Sequence, residues 1–137
     1  MNSNLSQLYN TFHLKAEEMR AGFKVLWHDA TLRILLLVNL LLNSIGWTIS
    51  VFINSKIASD IIALHYNVYF GITLIGSPKE VYFIPFLGLF IIMVNGLFLY
   101  LIKEGDKFFL YLFSACAILV NIFLILGLGA IALINFR

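Results

Sequence analysis

The chain is poor in charge, in cysteine and in proline. Charged residues fill 12% of its 137 positions, where a soluble domain carries about 25%. A net charge of only +2 lacks the strongly basic balance of a nucleic-acid binder, so no nucleic-acid partner is expected. The one cysteine, Cys116, excludes an intramolecular disulfide, and no metal-ligand spacing is present. Neither a metal nor a cofactor is expected. Cys116 lies inside an apolar run, which suits a small residue facing lipid or packed between helices. No Gly-rich phosphate loop, lipidation signal or low-complexity tract occurs. The first long apolar run starts only after about residue 31, behind Lys15, Glu17, Glu18, Arg20, Lys24 and Asp29. That order does not fit a secretory leader.

What the chain does have is apolar length. It is 61% hydrophobic, with a mean hydropathy of +0.96. Runs at 34–53, 81–102 and 108–134 are each long enough to cross a bilayer, because 20 helical residues rise about 30 Å. The sequence therefore predicts an all-α integral membrane protein with an amphipathic helix over 1–31 and a membrane domain over 32–137. In the first segment Leu5, Leu8, Phe12, Ala16, Met19, Phe23 and Leu26 recur at steps of three and four, on one helical face. The face suits a helix lying in the membrane interface. The seven-residue spacing of Leu5, Phe12, Met19 and Leu26 also suits a short coiled-coil seam.

Polar and small residues mark one side of each span. Asn39, Asn43, Gly46, Ser50 and Asn54 follow one another by three or four on the first, so that side should face protein or water. On the second, Gly88, Asn95 and Gly96 share a face, and on the third Ser114, Ala117 and Asn121 do. Small residues let helices approach closely and asparagines bond across them. Counted from the run ends, Asn43 and Asn95 sit at similar depth and Asn121 lies higher. These positions, Asn39, Asn43, Gly46, Gly88, Asn95, Gly96 and Asn121, are the candidate packing faces or polar path. No Asp, Glu, Lys, Arg or His falls inside the three runs, although carriers usually hold such a group in the membrane.

Between the first two runs lies 54–80. Its start, 55–64, reads as a short amphipathic helix capped by Asn54 or Ser55. Its later part, 64–76, reads LHYNVYFGITLIG. Tyr66, Val68, Phe70, Ile72 and Leu74 fall on one parity, and Asn67, Tyr69, Gly71 and Thr73 on the other. Period two in strand-favouring residues predicts an extended, strand-like or re-entrant segment with one apolar face. Gly76-Ser77-Pro78 reads as a turn. Tyr66, Tyr69 and Tyr82 suit an interfacial aromatic belt. Asp60, His65, Tyr66, Asn67 and Tyr69 form the candidate external contact surface. His65 beside a carboxylate resembles a general base, but Asp60 is five residues away and no nucleophile completes a site. No enzyme activity is expected.

Two threadings share the same charge balance. With three spans and a cytoplasmic N-terminus, the inside holds Lys15, Arg20, Lys24, Arg33, Lys103 and Lys107, against Lys56, Lys79 and Arg137 outside. A fourth span at 57–76 gives six against three again, so the positive-inside rule orients the N-terminus without fixing the span count. Asp60, His65 and Asn67 disfavour the fourth span. The run LHYNVYFGITLIG followed by Phe83-Ile84-Pro85-Phe86-Leu87-Gly88 resembles a pattern in an uncharacterised group of small bacterial three-span membrane proteins. The resemblance covers about 32–134 and implies a three-span layout in a bacterial inner membrane. No activity is known for the group, so no catalytic or binding residue is implied. The functional expectation is a non-enzymatic scaffold or accessory subunit, with the lipid bilayer and a protein partner or second copy around it. The alternative is a transporter or channel subunit with an Asn-lined path.

Overall fold

A computed structural model describes residues 7, 9–17, 20, 27–57, 59–101 and 107–136. Its elements are helix α1 (Ala30–Lys56), strands β1 (Ile62–Asn67) and β2 (Gly71–Gly76), a 3-10 turn (Pro78–Tyr82), helix α2 (Phe83–Leu101) and helix α3 (Lys107–Asn135). Among the described residues, Ala30–Lys56, Pro78–Phe98 and Lys107–Asn135 are long and apolar enough to cross a membrane. The three expected spans are present. The chain is an all-α membrane protein with one small antiparallel sheet.

Helix α1 begins earlier than its apolar run suggests, because Asp29 caps it, accepting from the backbone N–H of Thr31 and Leu32. The carboxylate satisfies two of the donors a helix start leaves open. Its buried residues, Leu32, Asn39, Asn43, Gly46, Ser50 and Ile53, are the predicted polar and small side flanked by apolar ends. Ile34, Leu37, Leu41 and Ile45 on the other side are exposed, as a lipid-facing surface must be. Helix α3 buries Leu110, Ser114, Ala117, Asn121, Leu128 and Ile131.

The two buried stripes match at one offset. Residues 78 apart in the chain, Asp29 with Lys107 and Asn43 with Asn121, bond across the interface. The same offset relates the buried pairs Leu32 and Leu110, Ser50 and Leu128, Ile53 and Ile131. So α1 and α3 run parallel and side by side, and α2 returns between them. This corrects the expected depths: Asn43 is level with Asn121, and Asn95 instead reaches the Phe113 carbonyl.

The segment 54–80 also departs from expectation at its start. Among the described residues of 55–64 no separate helix forms. Helix α1 continues to Lys56, the chain bends at Ser59 and Asp60, and β1 starts at Ile62. The strand-like stretch is not one ribbon but a hairpin, turned at residues 68–70, with Gly71 at φ +76°, which a glycine adopts without strain. An antiparallel partner strand satisfies backbone groups that a lone ribbon or an isolated short helix would leave open. Folded as strands, 57–76 is not a fourth span. Ser77 caps the following turn in a reciprocal box with Glu80.

In the N-terminal segment residues 9–17 are helical, with Tyr9, Phe12 and Leu14 exposed. Leu5, Leu8, Met19, Phe23 and Leu26, which the amphipathic and coiled-coil readings need, lie outside the described residues.

Candidate functional site

Two places concentrate polar or exposed chemistry: the middle of the helix bundle and the hairpin at its far end, where α1 and α3 stop.

The bundle centre is an asparagine network. The Asn39 amide donates to the Ser114 carbonyl at 3.1 Å and to Leu35 of its own helix at 3.1 Å. Asn121 donates to Asn39 Oδ1 at 3.3 Å and to the Ala117 carbonyl at 3.0 Å. Asn43 donates to the Pro85 carbonyl at 2.8 Å and reaches Asn121 Oδ1 at 3.5 Å. Two turns outward, the Ser50 hydroxyl donates to the Val81 carbonyl. All four side chains are buried. Among the described residues no buried side-chain nitrogen or oxygen lacks a partner. The polar side of the first span faces protein, and the amides close on one another.

Glycines decide how near α2 comes. A Cβ on Gly88 would lie 2.6 Å from Asn121 Oδ1 and 2.7 Å from Asn43 Nδ2, and one on Gly46 would touch Pro85 at 3.5 Å. Both positions serve the close packing that the sequence assigns them. Gly96 does not, since nothing lies within 4 Å of its would-be Cβ.

At the near end, Asp29 joins α1 to α3. Its carboxylate accepts from the Tyr111 hydroxyl at 2.8 Å and from Lys107 at 3.3 Å. The Tyr111 hydrogen bond above all, then the capped backbone and Lys107, hold its pKa below the ordinary 3.8. A folded value below the unfolded one adds stability at pH above about 4, and that stability is lost as pH falls through the folded value. The wild type should therefore lose thermal midpoint on acidification below pH 4 in detergent. Asp29→Ala should have a lower midpoint at neutral pH and a weaker acid response. Identical acid profiles would remove the staple. The sequence carries this signal as an Asp immediately before an apolar run; Tyr111 and Lys107 as its partners carry none.

At the far end the base of the hairpin is seated on the helices. Ile62 joins Ile53, Val81, Leu128 and Ile131 in the apolar core, with Leu64 packed against it. Asn135 holds β1 by its edge, accepting from the Ala63 N–H at 2.9 Å and donating to the Ala63 carbonyl at 2.8 Å. Its amide thus stands in for a neighbouring strand. Beyond that point the arm is uncovered. Tyr66, Ile72, Leu74 and Ile75 are exposed, and at the turn Val68 is 84%, Tyr69 89% and Phe70 81% exposed.

No family model, curated protein or solved structure matches this chain.

The external candidates all fall on or beside this arm. His65 Nδ1 and Thr73 Oγ1 share a 2.6 Å hydrogen bond across the strands. Asn67 Oδ1 accepts from the Tyr69 N–H, shaping the turn. Asp60 lies exposed in the bend before β1, and among the described residues no hydrogen bond joins it to His65. The arrangement places a histidine, a hydroxyl and an amide on one face of the hairpin. Among the described residues no three His, Cys, Asp or Glu side chains cluster as metal ligands.

Proposed function

We propose that this chain is a non-enzymatic small integral membrane protein that serves as scaffold or accessory subunit of a membrane complex, with its N-terminus in the cytoplasm of a bacterial cell. The observation that carries the proposal is the asymmetry of the hairpin edges. Asn135 closes the edge of β1, while among the described residues no strand pairs with the far edge of β2. The strand GITLIG has no charge and no proline, two of the devices by which proteins guard an open edge. Such an edge receives a partner strand by main-chain pairing, in another protein or a second copy.

Charge supports the orientation. Arg33 and Lys107 stand at one end of the bundle and Lys56 and Lys79 at the other; in the sequence Lys15, Arg20 and Lys24 precede the first span on the side of Arg33, and the cytoplasmic side carries the excess of Lys and Arg. The alternative, a transporter or channel subunit with an Asn-lined path, draws no support from amides whose donors are taken by neighbouring groups.

The test is a native gel of protein extracted in mild detergent. Wild type should run in an assembly larger than one chain, and Ile75→Lys should run as a single chain with unchanged helicity, because a lysine on an edge blocks strand addition. A single-chain wild type would end the scaffold reading. An Ile75→Lys assembly of wild-type size would move the contact away from β2.

A further inference from the structure

The hairpin has two unlike faces. Four of its five Cα pairings, and the His65–Thr73 contact, join residues whose numbers sum to 138; only His65 opposite Leu74 is irregular. In that register Leu64, Tyr66, Ile72 and Leu74 share one face. Ala63, His65, Asn67, Thr73 and Ile75 share the other, which carries the polar side chains of the hairpin. The apolar face is the one whose base, Ile62 and Leu64, packs on the bundle. Tyr66, Ile72 and Leu74 continue that face past the helices and are exposed.

We propose that this overhanging face rests on the lipid interface, so that the hairpin is a second, non-spanning membrane anchor at the far end of the bundle. Residues 61–78 contain no Asp, Glu, Lys or Arg, so no charge must be desolvated. Tyr82 ends the 3-10 turn that follows the hairpin, stacked on Trp47 with ring centroids 6.0 Å apart, and Tyr concentrates at membrane interfaces. The open edge of β2 sets the depth. Its unpaired N–H and C=O groups cannot enter hydrocarbon, so the arm lies flat among the headgroups with His65, Asn67 and Thr73 toward water. The inference concerns the face of the sheet: the unpaired edge fixes the depth of the arm in the isolated chain, and a strand added to that edge leaves the apolar face turned to lipid.

Nitroxide labels on single cysteines in a Cys116→Ser background test it. The purified chain is placed in phosphatidylcholine–phosphatidylglycerol vesicles at large lipid excess, and helicity is checked by circular dichroism. Labels at Ile72→Cys and at Tyr66→Cys should collide with bilayer-dissolved oxygen and be shielded from aqueous nickel chelate. A label at Thr73→Cys should do the reverse, with an oxygen-to-nickel ratio several-fold lower. Nickel access equal at all three positions means an arm standing in water and overturns the proposal. Shielding of Ile72→Cys and Tyr66→Cys from both reagents means protein covers the face, and overturns it too. Either failure in pure lipid leaves the native-gel result, and the accessory reading, untouched.

Discussion

Gly88→Ala should destabilise the bundle by about 1–3 kcal/mol, the usual effect of overfilling a packed interior. The added Cβ would lie 2.6 Å from Asn121 Oδ1, 2.7 Å from Asn43 Nδ2 and 3.2 Å from Leu124 Cδ1. Ends of side chains often move aside at little cost, but these two are held. Asn43 is bonded to the Pro85 carbonyl at 2.8 Å and Asn121 to the Ala117 carbonyl at 3.0 Å. Moving either breaks a hydrogen bond where no water replaces it, and moving α2 outward loosens its packing on both neighbours. Gly96→Ala is the internal control. Its Cβ meets nothing within 4 Å, and alanine favours helix over glycine, so stability should hold or rise slightly. Unfolding free energies from steric trapping would compare the two. Equal stability of Gly88→Ala and wild type would refute the close approach.

The spans are legible because lipid demands long uncharged helices, and the one competing stretch, 57–76, carries Asp60, His65 and Asn67. The two faces of the hairpin were legible as well: the alternation over 64–76 survives in the structure as the two sides of the sheet. The turn inside it was not, because NVYFG reads as strand by residue type and only the positive φ of Gly71 marks the reversal. The level of Asn121 was misread for a definite reason. Depths were counted from the apolar runs, which begin at 34 and 108, but the helices begin at Ala30 and Lys107. Counted from Asp29 and Lys107, the residues the structure joins, Asn43 and Asn121 are equally deep. A shift of one turn in one helix start thus separated two side chains that touch. Asn135 was beyond reach, since an asparagine closing a strand edge needs the hairpin to be placed first.

Asn121→Leu should also cost about 1–3 kcal/mol, and the reason separates a packing network from a path. A membrane hydrogen bond contributes only about 0.6 kcal/mol on average. Deleting one partner removes more, because the other is left buried and unsatisfied. Without the Asn121 amide, Asn39 Oδ1 loses its donor from α3 and Asn43 loses a 3.5 Å neighbour. Leucine has nearly the shape of asparagine, so sterics add little. The triple variant Asn39→Leu, Asn43→Leu, Asn121→Leu should lose less than the sum of the singles, because no asparagine side chain is left facing an apolar replacement. Steric-trap unfolding of the singles and the triple, with solute flux from vesicles on the same samples, gives both readouts. Strong non-additivity without flux above empty vesicles is what a closed network produces. Additive losses, or wild-type stability in every variant together with measurable flux, would mean that the asparagines serve a path rather than each other.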